Sequence, residues 1–405
     1  MRTSCDVASD VRLHSPLEVL GAFLRLGVSS FGGPIAHLGY FREEFVVRRR
    51  WLAESTYVDL VALCQFLPGP ASSQVGYSIG LLRAGHWGGL AAWIGFTLPS
   101  AIAMLLFAYG ASALGGPMGL GLLHGLMLVA VAIVAQAVWG MARTLCPDWQ
   151  RTSIGVIAVV IVLVGMSSLA QLLAISLGGL AGLWICRTSI PAPIGTLTVP
   201  VSPRVGLAVL TTFVVLLIGI PLLRRHTEAP GLALFDAFYN SGALVFGGGH
   251  VVLPLLRDAF VSHAWVSDDA FLSGYGAAQA MPGPLFSFAA YLGAVAGPRP
   301  LGIAGAALGL TGIFLPGMLL LIGTLPFWDL LRNRASAQAA MRGINAAVVG
   351  ILAAALYSPL WVTSVSTPGD FGVALLGFIL LTVWRVPPLW VVVSGALAGV
   401  ALTLL

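Results

Sequence analysis

Long apolar blocks almost free of charge limit what this chain can fold into more than any other feature. Gly88–Leu114, Gly119–Ala142, Val205–Leu223 and Leu301–Leu325 each approach or exceed the roughly 20 residues that cross a bilayer as a helix. Lipid offers the backbone no hydrogen-bonding partners, so such blocks must be helical, and the alternation of a membrane β-barrel strand is absent. Only 9% of the 405 residues are charged, against about 25% in a typical soluble domain. The expected fold is an all-α polytopic membrane protein. About thirteen apolar spans (10–14), transmembrane or re-entrant, are counted between Leu17 and Leu404.

The first fifteen residues are polar, and the apolar run that follows is interrupted by Glu18 and Arg25, so no cleavable signal peptide is expected. The four cysteines (Cys5, Cys64, Cys146, Cys186) show neither CxxC spacing nor a histidine cluster, which reads as small apolar residues without disulfide or metal roles. No cofactor or metal is expected. All twenty basic residues are arginine; a GC-rich genome is the simplest cause, although guanidinium forks also suit tetrahedral oxyanions. The net charge of +5 is mostly juxtamembrane arginine, which implies contact with membrane lipids and not with nucleic acid. Arginine placement gives the N-terminus a weak cytoplasmic bias.

Sliding the chain on itself reveals a duplication. Phe31-Gly32-Gly33 recurs as Phe246-Gly247-Gly248 and Arg42-Glu43 as Arg257-Asp258, both 215 residues on. Trp51, Gln65, Pro68-Gly69-Pro70 and Tyr77 recur as Trp265, Gln279, Pro282-Gly283-Pro284 and Tyr291, 214 residues on. Leu98-Pro99 meets Leu315-Pro316 at 217, and Gly125 meets Gly343 at 218. The order is kept and the drift is what loop insertions produce. Residues 1–186 and 205–405 therefore form two homologous halves. A linker at 187–204, with Pro191, Pro193, Pro200 and Pro203, joins them. Corresponding spans lie seven apart in the thirteen-span count, which predicts inverted repeats, the plan of many secondary transporters.

Pro-Gly-Pro in mid-span must break a helix, because each proline removes a donor and clashes with the preceding turn. The segment that restarts after the break presents free N–H groups and about half a positive charge, a natural anion site. Ser72 and Ser73 follow the first break and Ser287 the second. The bland alternative, kinks that merely permit packing, is less attractive for a constellation kept in two diverged copies. A substrate site is expected from Phe31, Gly32, Gly33, Gln65, Pro68, Gly69, Pro70, Ser72, Ser73 and Arg25 in the first half. Asn240, Phe246, Gly247, Gly248, Gln279, Pro282, Gly283 and Pro284 would complete it from the second. Arg25 is the candidate substrate cation, with a snorkelling side chain as the alternative. His37, Glu43, Asp59, His250 and Arg257 are candidates for coupling or gating, each with a structural role as the competing reading.

The paired Phe-Gly-Gly and Gln-x-x-Pro-Gly-Pro elements, with Arg42-Glu43 and Trp51 between them, resemble the chromate ion transporter family in its long, two-domain form. The resemblance runs from about Phe23 to Trp361. It implies a carrier in the bacterial inner membrane that exports chromate and confers chromate resistance, with sulfate as a related substrate and a homodimer as one assembly. Energetics agree with export. A dianion gains about 4.6 kcal/mol on leaving a cell polarised by 100 mV, more than a thousandfold in concentration ratio. Another anion carried by the same architecture is the nearest competing function. An intramembrane enzyme is disfavoured by the lack of HExxH, GxSxG and spaced carboxylates, and a fused ATPase by the lack of a P-loop.

Overall fold

The computed structural model describes residues 15–404 apart from 32, 112–115, 166–167, 188–200, 228, 247–250, 298–299 and 333. No strand occurs among the described residues. The first copy contains α1 (Pro16–Ser29), α2 (Gly33–Phe41), α3 (Glu54–Phe66), α4 (Ala71–Ala111), α5 (Gly116–Leu145), α6 (Trp149–Gly165) and α7 (Ser168–Ile185). A further helix, α8 (Pro203–Arg224), follows. The second copy contains α9 (Pro230–Ala243), α10 (Val252–Phe260), α11 (Asp268–Ala280), α12 (Phe288–Val295), α13 (Gly302–Thr324) and the short α14 (Trp328–Arg332). It ends with α15 (Ala335–Ala355), a short α16 (Val362–Ser364), α17 (Pro368–Thr382) and α18 (Pro388–Leu404).

Five helical runs are long and apolar enough to cross a membrane: Ala71–Gly110, Met118–Leu145, Pro203–Arg224, Gly302–Leu330 and Ala335–Ser364. The first is not one rod. Ala84 (φ −140°, ψ 27°) and Gly85 (φ 65°, ψ −161°) leave helical geometry. There the chain doubles back, so that Gly80 lies on the Gly88 backbone and Gly89 on the Tyr77 ring. In the second copy α12 and α13 make the same hairpin, with Gly293 on Gly305 and with Gly302 (φ 55°) where the first copy has Gly85. Shorter apolar helices, α6, α7, α17 and α18 among them, complete a multi-pass membrane protein. The expected linker falls mostly at 188–200, outside the described residues.

The copies are interlocked by exchange. Gly121 and Gly125 of α5, one turn apart, lie against Gly395 and Gly399 of α18. In mirror image, Gly343 of α15 lies against Gly178 and Gly182 of α7. Each copy's long helix thus packs into the terminal helix pair of the other. Small residues spaced four apart let the backbones approach, and in lipid such close packing drives association in place of the hydrophobic effect. His124 of α5 adds a 2.7 Å pair with Asp370 at the start of α17. Asp370, itself buried, also accepts the backbone N–H groups of Ser366 and Thr367. These contacts predict that residues 1–187 and 201–405, expressed together as two chains, co-purify as one complex. Tagging one chain and probing for the other checks this.

Duplication extends to the turns that lead into α3 and α11. Arg42 pairs with Glu54 at 2.7 Å, and Arg257 grips Asp268 with two bonds of 2.8 and 3.0 Å. Each acid sits in the first turn of the next helix, where negative charge also complements the helix dipole. Before Trp51 and Trp265, Arg50 and Ala264 adopt the same left-handed backbone, φ 52° and 55°. Burial pushes the Glu44 carboxyl up, but Arg49 and Arg48 outweigh it and hold it below the ordinary range.

Candidate substrate site at the crossed helix breaks

Both Pro-Gly-Pro elements interrupt their helices. α3 ends at Phe66 and α4 begins at Ala71; α11 ends at Ala280, and a 3-10 turn at Leu285–Ser287 leads into α12. The central glycines take φ +122° (Gly69) and +96° (Gly283), conformations that side chains rarely adopt. Each break is pressed against the other copy. The Gly69 N–H donates to the Val245 carbonyl at 2.7 Å, and the Gly283 N–H donates to the Ser30 carbonyl at 2.9 Å. Ser30 and Val245 are repeat partners, so one contact is made twice. A Cβ at Gly69 would lie 2.9 Å from Gly317 Cα, and one at Gly283 2.9 Å from Ser100 Oγ; Ser100 and Gly317 are also partners, 217 apart.

These glycine amides, expected to face a substrate, are therefore used between the copies. The N–H groups left for a ligand are those of the restarting first turns, since α4 makes its first backbone bond from Gln74 N–H to the Pro70 carbonyl. Side chains add donors on the Gly283 side. Ser30, His37, Ser72, Ser73, Thr97 and Ser100 are all buried. His37 Nδ1 lies 3.4 Å from Ser72 Oγ, and its ring packs edge-on against Phe96 at 5.1 Å. The Ser30, Ser73, Thr97 and Ser287 hydroxyls have no hydrogen-bond partner among the described residues. Buried polar groups are normally paired, so orphans collected at a helix break mark a place where a ligand or water completes the bonding.

The other expected residues divide. Pro68, Phe31 and Pro282 are half-buried at the breaks, Pro70, Pro284 and Gly69 are buried, and Gly33 (φ +77°) opens α2. Phe246 is half-buried beside Val245. Gly32, Gly247, Gly248 and His250 lie outside the described residues. Gln65 is exposed, while Gln279 is half-buried with its Nε2 unpartnered. Arg25 stands on the exposed face of α1, opposite Val19, Ala22, Phe23 and Leu26. Asn240 donates to Asp236 at 2.7 Å, and Asp236 pairs with Arg224 of α8 at 2.7 Å, so Asn240 sits in a connector between α8 and α9. Glu43 is exposed, Asp59 is buried, and Arg257 is held by Asp268. Ser30, Thr97 and Ser100 are additional polar residues of the seam. They escape motif reading because their repeat partners, Val245, Phe314 and Gly317, are not polar.

A cavity of about 550 Å³ is lined by α6 and α7 residues such as Ile157, Leu177 and Trp184, all apolar, and so suits lipid chains better than an anion. Another, of about 110 Å³, brings Gln171, Arg257, Asp258 and Ser262 together. Neither touches the breaks.

Two intertwined copies of one unit, each with a spanning element broken at Pro-Gly-Pro and a buried polar seam between them, define a helical membrane transporter. The chain belongs to the chromate transporter family. That family's sequence profile matches residues 17–183 and 232–400 and leaves α8 between the two matched segments. The chromate transport protein of Pseudomonas aeruginosa is 27% identical over 400 residues, covering 94% of this chain and 91% of its own length. A probable chromate transport protein of Synechococcus elongatus is 26% identical over 412 residues, covering 97% and 98%. The uncharacterized transporter YwrA of Bacillus subtilis is 32% identical over 174 residues, 41% of this chain but 93% of its own length. No solved structure matches.

Proposed function

We propose that the chain is a secondary transporter that carries chromate, a tetrahedral dianion, out of the cell across a bacterial cytoplasmic membrane and so gives chromate resistance. The observation that carries this reading is the pair of crossed helix breaks set against buried, unpartnered hydroxyls, in a chain similar along nearly its whole length to chromate transport proteins. Helix-start amides and hydroxyls can replace the water that a dianion sheds, without a counter-charge that would trap it. The membrane potential supplies the outward drive, about 4.6 kcal/mol per dianion at 100 mV. Cells carrying the chain should accumulate less chromate than matched cells without it. Equal accumulation at equal expression would overturn efflux.

Sulfate, or another anion of similar shape, is the competing substrate, and uptake of labelled sulfate against chromate in everted vesicles separates the two. The expectation of inverted copies gains support from α8, which adds one helix between the matched halves. If each copy makes an even number of crossings, that extra span puts them in opposite orientations. His37 and Asp59, both buried, stay the proposed coupling residues, with the exposed Glu43 a gating group at the membrane face. Arg25, on an exposed face, acts in this reading as an attractor at the approach to the site and not as a ligand inside it. Arg25→Ala should then raise the KM for chromate with little change in kcat, and Arg25→Lys should restore the KM. Initial rates in vesicles over a range of chromate concentrations check this.

A further inference from the structure

Given the transport reading above, we infer that the duplicated breaks carry one anion site and not two, and that it lies on the Gly283 side. The break around Gly283 meets polar groups of the first copy: the Ser30 carbonyl accepts its N–H and Ser100 and the Phe96 carbonyl lie beside it, while His37 packs on Phe96 and adjoins Ser72. The His37 ring sits beside the Ser30 backbone, and its Nε2 makes no well-formed hydrogen bond. The Thr97 hydroxyl, between Phe96 and Ser100 on α4, is unpartnered among the described residues, whereas Ser100 donates its one hydrogen to the Thr97 carbonyl. Ser30 Oγ is likewise unpartnered and fully buried.

The Gly69 side has the same backbone contact but none of this chemistry. The repeat puts Val245, Val252, Phe286 and Gly317 where the other side has Ser30, His37, Ser72 and Ser100. A buried polar side chain in contact with this break is Gln74, whose Nε2 donates to the Pro68 carbonyl at 3.0 Å and the Gly317 carbonyl at 2.8 Å. That commits the amide hydrogens and leaves Oε1, an unpartnered acceptor, which repels oxyanion oxygens. Duplication thus preserved the interlock on both sides while donors were kept, or gained, on one. The Gly283 side holds the anion by neutral hydroxyl donors, those of Ser30 and Thr97 being free to donate, and no carboxylate is among Ser30, His37, Ser72, Thr97 and Ser100. Such a set fits an oxyanion carrying no proton of its own, because every ligand oxygen accepts.

Titration of the purified full-length protein in detergent with sodium chromate, and separately with sodium sulfate, tests the assignment. Ser30→Ala and Thr97→Val, which remove these two free hydroxyls, should each weaken chromate binding by about tenfold or more, the usual effect of losing a hydrogen bond to a charged group. Val245→Ala and Val252→Ala should leave affinity unchanged, and Thr97→Ser should retain it. Unchanged affinity in both hydroxyl variants, or an equal loss in the Val245 and Val252 variants, overturns the one-sided site while transport stands. Wild-type protein that binds neither titrant overturns the transport reading with it.

Discussion

Gly69→Ala and Gly283→Ala are each expected to stop chromate transport while the protein still reaches the membrane. At φ +122° and +96° an alanine is strained by about 1–3 kcal/mol before any contact is considered. The new methyl group at Gly69 would also meet Gly317 Cα and Gln74 Nε2, each at 2.9 Å. At Gly283 it would meet Ser100 Oγ at 2.9 Å and the Phe96 carbonyl at 3.1 Å. Backbone atoms of a packed helix cannot swing aside as a side-chain tip can, so the break itself must shift. That movement stretches the glycine N–H bond to Val245 or Ser30, and it displaces the restarted helix whose first turn belongs to the proposed site. Overpacking adds about 1–3 kcal/mol to the strain. Chromate accumulation in cells, read beside the fluorescence of a tagged protein in the membrane, checks both halves of the expectation. Wild-type efflux from either variant would mean that the crossed breaks do not shape the site.

The second large effect falls on stability. Gly125→Val or Gly343→Val should abolish recovery of monodisperse protein, whereas Gly140→Val should be tolerated. A Cβ at Gly125 would fall against the Gly395 carbonyl and 2.8 Å from Ala396 Cα. At Gly343 it would fall against the Gly178 carbonyl and 2.7 Å from Gly182 Cα. Nothing lies within 4 Å of a Cβ at Gly140. In lipid the helices have no hydrophobic reason to stay together once they are forced apart, so the close approach is itself the source of association. Size-exclusion profiles of the three solubilised variants at equal expression decide the matter. Similar profiles for Gly125→Val and the wild type would show that the exchanged crossings contribute little.

Much of the fold was legible because the chain states it twice. The Phe-Gly-Gly and Pro-Gly-Pro elements are breaks by composition alone, and their recurrence at a nearly constant offset made the duplication plain. Legibility failed where a partner lies far away in sequence. Arg42 and Arg257, which the repeat displays beside Glu43 and Asp258, bond Glu54 and Asp268 across a turn. The correct pairing was within reach, since Glu54 and Asp268 recur at the same 214-residue offset. Arg25 and Asn240, joined only by alignment, have different surroundings: an exposed helix face for one and the Asp236–Arg224 pair for the other.

Sequence by itself determined that this is a duplicated helical membrane protein with a broken span in each copy, because apolar length, proline and glycine act through local covalent geometry and the dielectric of lipid. Only the tertiary structure decided that the copies exchange helices, that the Gly69 and Gly283 amides bond across to the opposite copy, and which side chains share the buried seam. Those outcomes depend on which surfaces meet. Residues more than 200 positions apart, such as Gly283 and Ser30, become neighbours through the packing of backbones that small residues allow to touch, and no local pattern in the chain records that meeting.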